Sequence, residues 1–210
     1  MDKITEKESS TIAHYDKHAK DFWLGTKDHD VSQNIHAFLA ALPKNKALDI
    51  LDLGCGPGRD LLQFKSLGHR PTGLDGSATF CKMAADYSGC PTINQNFTQI
   101  QLADNQFDGV FANACLFHVP SNELLNVLKK LHACLREGGV LFSSNPRGNT
   151  EGWQGERYGH YIELEASQRF LEQAGFELLD HYYRPAGKSR EQQPWLALVS
   201  KKSTTTKRET

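Results

Sequence analysis

Residues 51–60 read LDLGCGPGRD, an alternation of apolar residues that runs into three glycines within five positions. A short apolar run followed by closely spaced glycines is typical of a buried strand that turns sharply and exposes its backbone. A backbone exposed in this way can approach a ligand closely. The stretch therefore predicts a binding loop and raises the question of which ligand it holds.

Two kinds of phosphate-binding loop are excluded by the residues around these glycines. A P-loop has the pattern GxxxxGK[ST], and no Lys-Ser or Lys-Thr follows the glycines here. A dinucleotide-binding loop has the pattern GxGxxG, but its third glycine is replaced by Arg59 counting from Gly54, or by Leu61 counting from Gly56. Pro57 also has no N–H that could be donated to a pyrophosphate.

Two acidic residues accompany the loop. Asp52 precedes the glycines, and Asp75 ends the next predicted strand in the stretch GLDGS. A carboxylate in that position can accept both hydrogens of a ribose diol. The pattern therefore favours a ligand that has a ribose but no phosphate, a description that S-adenosyl-L-methionine fits.

Strand-like and helix-like segments alternate along the chain. Strands are predicted at ALDILDLG, RPTGLDG, CPTINQN, FDGVFAN and GGVLFSSN, with helices between them and a closing antiparallel pair at FELLDHYYR and PWLALVS. This alternation predicts an α/β fold with a mostly parallel sheet and helices on both faces. In such sheets the ligand lies beyond the carboxyl ends of the strands, where the glycine loop is placed.

The composition is that of an ordinary globular domain and restricts the partners. The chain has 210 residues, 39% hydrophobic and 23% charged, which suits one domain with a sizeable core. The net charge of −1 and the even spread of Lys and Arg argue against nucleic acid as a partner. No apolar run is long enough for a membrane span, and the charged N-terminus does not resemble a secretory signal. The five cysteines form no CxxC pair, so we expect reduced thiols, no metal site and a cytoplasmic protein.

Four stretches together resemble the class I S-adenosylmethionine-dependent methyltransferases, in particular the small-molecule group that includes the ubiquinone and menaquinone biosynthesis enzymes. They are DLGCGPGRD, GLDGS, NQNFTQIQLADNQFDGVFANACLFHVP and LHACLREGGVLFSSNP. The resemblance implies a Rossmann-like seven-stranded, mostly parallel sheet with a C-terminal antiparallel hairpin. It also implies S-adenosyl-L-methionine as the cofactor.

The resemblance further implies which residues bind the cofactor. Asp75 would bind the ribose, Gly76 would let the adenosine lie close, and the main-chain carbonyl of Asn113 would take the amino group. The family commonly has an acid beside the adenine, where this chain has Asn96 followed by Phe97; the Asn96 carbonyl can still accept from the exocyclic amine. The methionine half would lie along the loop beneath an N-terminal lid, in contact with Gly54, Cys55, Gly56, Gly58, Tyr15 and Trp23.

Two features are candidates for the acceptor side. His118 follows the fourth predicted strand, and its imidazole could either take a proton from the nucleophile or simply wall the pocket. Residues 145–163, NPRGNTEGWQGERYGHYIE, predict a roof over the acceptor site, with a plain surface loop as the alternative. Aromatic residues with an arginine suit a small, partly planar acceptor with an anionic group. The candidate acceptor-binding residues are Trp153, Arg157 and Tyr161, with Tyr182, Tyr183, Arg184 and Trp195 as a second wall.

We therefore expect a single domain over residues 1–201, with a helical lid in residues 1–44 and a disordered tail in residues 202–210, as a monomer or homodimer. The expected function is in-line methyl transfer to a small-molecule acceptor, which needs no metal. The alternatives are a non-catalytic cofactor-binding or sensor module and a protein or RNA methyltransferase. The [ND]PP[YFW] signature of base amino methylation is replaced here by NACLF.

Overall fold

The computed structural model describes residues 3–44 and 46–203, which form nine strands, seven α-helices and three short 3-10 helices. The strands are β1 (Asp49–Leu53), β2 (Arg70–Asp75), β3 (Thr92–Asn94), β4 (Phe107–Asn113), β5 (Leu135–Pro146), β6 (Thr150–Gln154), β7 (Arg157–Tyr161), β8 (Phe176–Arg184) and β9 (Trp195–Lys202). The helices are α1 (Lys3–Lys17), α2 (Ala19–Thr26), α3 (Ser32–Ala40), α4 (Arg59–Ser66), α5 (Ala78–Ser88), α6 (Ser121–Cys134) and α7 (Leu164–Gln173). None of the described helices has the length and apolar character that crossing a bilayer requires.

The main sheet has seven strands in the order β3-β2-β1-β4-β5-β9-β8. The pairs among β1 to β5 are parallel, whereas β9 runs antiparallel to both β5 and β8. The predicted α/β class and the C-terminal antiparallel hairpin are confirmed. Because β1 lies between β2 and β4, the loops after these three strands meet at one edge of the sheet.

Residues 145–163 contain a second, smaller sheet that sequence reasoning missed. β5 runs on to Pro146, and β6 and β7 then form an antiparallel hairpin in which Trp153 pairs with Tyr158. Glycines interrupt both strands, TEGWQ and RYGHY, and hide the two-residue alternation that would have indicated a hairpin. The segment therefore has regular structure along most of its length.

The predicted tail starts too early. Lys202 is the last residue of β9, pairs with Phe176, and donates from Nζ to the Leu135 carbonyl at 2.7 Å. A lysine can extend a strand in this way because its long stem lies along the sheet while its ammonium finds a backbone acceptor. Residues 204–210, which hold the rest of the predicted tail, lie outside the described residues.

Helices cover both faces of the sheet, as predicted. On one face Phe38 of α3 packs in a cluster with Phe64, Phe111 and Phe142, and all four side chains are fully buried. On the other face the leucine stripe of α6 packs with α7 against β4 and β5. The helix α3 therefore belongs to the core, whereas α1 and α2 lie over the carboxyl ends of the strands.

Candidate active site

A cavity of about 710 Å³ lies at the carboxyl ends of β1, β2 and β4. The glycine loop after β1 forms its floor, and residues of α1 and α2 form a wall above it. Arg157 from β7 and Arg184 from the end of β8 reach the same space. One cavity therefore joins the glycine loop to the segments that were predicted to face an acceptor.

Two of the loop glycines are required by geometry. Gly54 has φ +67°, and a Cβ there would lie 2.4 Å from the Cβ of Cys115. Gly58 has φ +96°, and a Cβ there would lie 2.8 Å from Cα of Ala84 in α5. Gly58 does not line the cavity, and its contact with the methionine half of the cofactor stays a prediction. The absence of a side chain at Gly58 allows the start of α4 to approach α5 closely.

Asp75 ends β2 with its carboxylate partly satisfied by the backbone. One oxygen accepts the N–H of Gly56 at 3.0 Å, and the other accepts the N–H of Ser77 at 2.9 Å. Burial raises the pKa of Asp75 to about 6. An ionised carboxylate can accept about four hydrogen bonds, so further lone pairs remain for a ligand. Asp75 also lines the cavity, so these lone pairs are open to a ligand, and its contact with a ribose stays a prediction.

Two further acids lie beside the glycine loop. Asp52 is buried, and its Oδ2 has no hydrogen-bond partner among the described residues. Burial, with the charge of Asp60 added, raises the pKa of Asp52 well above its ordinary value. Arg59 is held by Asp60 at 2.7 Å and 3.0 Å and donates to the Thr26 carbonyl at 2.9 Å. Of these acids, Asp60 lines the cavity together with Asp75, and carboxylates at the floor disfavour a phosphate there.

The other predicted cofactor residues converge on the same cavity. The side-chain amide of Asn113, at the end of β4, accepts from Asn34 at 3.0 Å and donates to Asp60 at 3.3 Å. A Cβ at Gly76 would lie 2.7 Å from Cδ1 of Ile12 in α1. The absence of a side chain at Gly76 therefore leaves space for Ile12 beside the end of β2. The predicted residues that line the cavity are Tyr15, Trp23, Gly54, Cys55, Gly56, Asp75, Gly76, Asn96, Phe97, Asn113 and His118.

His118 lines the cavity with both ring nitrogens engaged. Its Nδ1 lies 2.7 Å from the Tyr158 carbonyl, and its Nε2 lies 2.9 Å from the Tyr15 hydroxyl. A carbonyl can only accept, so Nδ1 carries the proton and Nε2 accepts from Tyr15. Burial lowers the pKa of His118 to about 4 and raises the pKa of Tyr15, which keeps the imidazole neutral and the phenol protonated.

Two aromatic residues that sequence reasoning missed complete the wall. Phe22 of α2 and Phe80 of α5 both line the cavity, with ring centroids 5.2 Å apart. Tyr15 packs on both rings, at 5.5 Å from Phe22 and 5.7 Å from Phe80. Phe80 lies in the first turn of α5, close after Asp75. Its position just after that acid could have indicated from the sequence that it lies at the cavity.

The predicted acceptor residues divide into two groups. Arg157 lines the cavity and donates to the Tyr15 hydroxyl at 3.3 Å, and Arg184 and Trp195 of the second wall also line it. Trp153 is 49% exposed and packs edge-on against Tyr158 outside the cavity. Its place on the hairpin face opposite to Arg157 follows from the alternation of side chains along a strand.

Tyr161 also does not line the cavity. Its ring folds back over Gly159, where a Cβ would lie 2.6 Å from the Tyr161 hydroxyl, and packs at 5.7 Å from Phe117. The absence of a side chain at Gly159 is what lets the ring lie along the strand. Tyr161 therefore packs behind Phe117, which lines the cavity.

The strand order and the glycine loop facing Asp75 define the fold of the class I S-adenosylmethionine-dependent methyltransferases. Comparison with known families agrees, since residues 51–143 match the family described as "Methyltransferase domain". The matched segment runs from β1 into β5, so the half of the sheet that carries the glycine loop and Asp75 is the part that is similar to this family.

Two curated relatives are similar over part of the chain. Trans-aconitate 2-methyltransferase of Paracidovorax citrulli (strain AAC00-1) is 35% identical over 124 residues, which cover 55% of this chain and 45% of the relative. Malonyl-[acyl-carrier protein] O-methyltransferase of Pseudescherichia vulneris is 29% identical over 128 residues, 58% of this chain and 50% of the relative. The chain thus spans about half the length of the curated relatives it matches.

One solved structure is similar over almost the whole chain. It is the 1,6-didemethyltoxoflavin-N1-methyltransferase of Burkholderia thailandensis, determined with 1,6-didemethyltoxoflavin and S-adenosylhomocysteine. The TM-score is 0.76 at 21% sequence identity, with 97% of this chain and 92% of that chain covered. At this identity the likeness supports the fold alone.

Proposed function

We propose that this protein transfers a methyl group from S-adenosyl-L-methionine to a small acceptor that carries an anionic group. The observation that carries the proposal is one cavity with two chemically different ends. Its floor is the glycine loop with Asp75, and its other side bears Arg157 and Arg184. A cationic cofactor suits the first end, and an anionic acceptor suits the second.

The floor fits this cofactor on three grounds. The carboxylate of Asp75 has lone pairs left for a ribose diol, and Gly54 leaves the backbone open where a side chain would collide with Cys115. Asp60 also lines the cavity and offers carboxylate oxygens to the amino group of such a ligand. When bound, S-adenosyl-L-methionine supplies a methyl group already activated by its positively charged sulfur.

The work left to the chain is to align the acceptor and exclude water. Tyr15, Phe22 and Phe80 form an aromatic wall, an apolar surface that disfavours water beside the acceptor. The Arg157 and Arg184 guanidiniums suit a carboxylate because they offer paired N–H donors in one plane. The two curated relatives are named for trans-aconitate and malonyl acceptors, both carboxylic acids, which supports the same choice.

The base role of His118 stays a prediction, with one added condition. Its Nε2 accepts the Tyr15 hydroxyl, so that hydroxyl must turn away, or be the group that meets the acceptor, before His118 can take a proton. A neutral imidazole whose pKa lies near 4 is a weak base at neutral pH. We therefore propose that Tyr15 and His118 act as one hydrogen-bonded unit at the acceptor.

The test is a methyl-transfer screen with isotopically labelled cofactor, read by mass spectrometry. The purified chain is offered a panel of small carboxylic acids together with the neutral esters and amides of the same acids. We expect labelled product from acids and not from the neutral analogues, and less product from an Asp75→Ala variant when the cofactor is limiting. Cofactor binding by calorimetry without product from any acceptor would instead favour the non-catalytic module.

An Arg157→Gln variant separates acceptor binding from chemistry in this screen. Loss of a group that positions the acceptor is expected to raise its KM more than it lowers kcat. Tyr15→Phe and His118→Gln are expected to lower kcat by similar factors, because removing either breaks the same hydrogen bond. A large drop for one of the two alone would contradict their acting as a unit.

A further inference from the structure

Three metal-ligating side chains meet outside the cavity, between α1 and the β6–β7 hairpin. His14 and His18 lie four residues apart around the junction of α1 and α2, and Glu156 comes from the hairpin turn. One ligand atom from each lies within 4.8 Å of the other two. Among the described residues no other group of three such side chains has this arrangement.

The two histidines are already aligned side by side. The His18 N–H donates to the His14 carbonyl at 3.1 Å, so the pair keeps helical spacing, and the ring centroids are 4.7 Å apart. Residues four apart on a helix project from one face, which is how two histidines on a helix bind one zinc ion in known motifs. The third side chain is in contact too, since His14 Nδ1 lies 3.0 Å from Glu156 Oε2.

From this geometry we propose that His14, His18 and Glu156 form a binding site for a divalent transition-metal ion of the Zn²⁺ type. In a tetrahedral site with ligand distances of about 2.0–2.2 Å, ligand atoms lie about 3.3 Å apart. The present separations need only small rotations of exposed or half-buried side chains to reach that value. Two imidazoles and a carboxylate with water in the fourth position form a donor set that suits zinc.

An ion at this site joins two elements that already touch. The Tyr158 N–H donates to Thr11 Oγ1 at 2.9 Å, and Lys7 Nζ donates to the Tyr158 hydroxyl at 2.7 Å. Ser10 Oγ adds a bond to the Glu156 carbonyl at 2.9 Å. Because α1 also carries Tyr15 into the cavity, bound metal clamps the cavity wall to the hairpin. The proposal goes beyond methyl transfer and does not depend on it.

Calorimetry with ZnCl₂ tests the site, on protein without a histidine tag. We expect one ion per chain for the wild-type protein, and affinity at least about tenfold weaker for His18→Gln and for Glu156→Gln, since even outer-shell changes cost 10–100-fold. His36→Gln is the matched control because this exposed histidine lies on α3, away from the cluster. Absence of zinc binding, or equal affinity in the two ligand variants and the wild type, would overturn the proposal.

Two spectroscopic readouts separate this site from others. X-ray absorption is expected to show nitrogen and oxygen neighbours at about 2.0–2.2 Å and no sulfur at about 2.3 Å. All five cysteines are buried, so a sulfur neighbour would mean a different site and overturn the assignment. Hydrogen exchange in α1 and the hairpin is expected to slow on adding ZnCl₂ in the wild type but not in Glu156→Gln. Equal slowing in both would contradict the clamp.

Discussion

At the residue scale, the carboxylate of Asp75 binds the backbone of the glycine loop and also lines the cavity. Its oxygens accept N–H groups from Gly56 and Ser77, which orients the acid and the loop relative to each other before any ligand arrives. Such preorganisation lowers the cost of ordering on binding. The lone pairs that remain are the part of Asp75 that a ligand can use.

Replacing Asp75 by Ala is therefore expected to weaken the binding of S-adenosylhomocysteine by tenfold or more. A hydrogen bond to a charged group contributes about 1.5–3 kcal/mol, and about 1.4 kcal/mol corresponds to a factor of ten in affinity. Calorimetry measures the dissociation constant, and thermal melting confirms that the variant is folded. The exposed Asp104→Ala serves as control, and an unchanged dissociation constant in Asp75→Ala would place the ribose elsewhere.

The same carboxylate predicts a pH dependence. Burial raises the pKa of Asp75 to about 6, above that of an Asp in the unfolded chain. The empty protein therefore loses stability as the pH rises from about 4 to about 6, because the folded state keeps a proton that the unfolded state has already released. Ribose hydroxyls favour the ionised form, so affinity for S-adenosylhomocysteine should fall as the pH drops below about 6. Calorimetry between pH 5 and 8 measures this, and Asp75→Ala should flatten the curve. A slope that persists in the variant would assign the titration to Asp52 instead.

At the element scale, the sequence suggests a separate lid and roof, which are α1 and the β6–β7 hairpin. In the structure these two elements are joined by hydrogen bonds. The hydroxyl of Thr11 accepts the N–H of Tyr158, a backbone group that is buried and has no neighbour in a sheet on that side. Loss of an acceptor for a buried N–H costs about 1–3 kcal/mol. The contact is therefore an important link between the two elements.

Thr11→Val keeps the shape of the side chain and removes this acceptor. We expect faster hydrogen exchange over residues 6–17 and 157–161, with little change in β1 and β4, because the damage is local. Thr150→Val, at an exposed position on β6, is the matched control. Unchanged exchange in α1 would show that other contacts hold the helix in place.

At the scale of the whole molecule, the cavity and a cluster of ion pairs lie at opposite ends of the sheet. The cavity occupies the carboxyl ends of the strands, whereas the opposite end carries an ion cluster in which Asp108 accepts from Lys46 and Arg136, both at 2.9 Å. The phenylalanine cluster around Phe38 lies between them and lines neither. Stability and ligand binding are therefore separable by mutation.

Phe38→Ala should lower the free energy of unfolding by about 3–5 kcal/mol, since it empties a fully buried site packed on three other rings. Urea unfolding measures the loss, and the half-exposed Leu67→Ala should change it by less than about 0.5 kcal/mol. The affinity of the folded variant for S-adenosylhomocysteine should stay close to that of the wild type. A parallel loss of affinity would show that the core and the cavity are coupled.

Local patterns in the chain are enough to predict the strand–helix alternation, the glycine loop, the acid at the end of β2 and the start of α5. Serine is a preferred residue at the start of a helix, and the Ser77 hydroxyl accepts the Phe80 N–H at 2.9 Å. These features depend on the periodicity of apolar residues, on a backbone conformation that favours glycine, or on a hydrogen bond within one turn. All three are interactions between near neighbours in sequence.

Contacts between distant parts of the chain were decided by tertiary packing. Tyr15 and His118 are 103 residues apart, and no local pattern indicates that the phenol occupies the nitrogen predicted to act as a base. Arg157 faces the cavity and Trp153 faces away because the pairing of β6 with β7 sets which side of the hairpin each occupies. The meeting of Glu156 with His14 follows from the docking of that hairpin on α1. Side-chain direction depends on strand register and helix docking, which arise only when remote segments bury their apolar faces together.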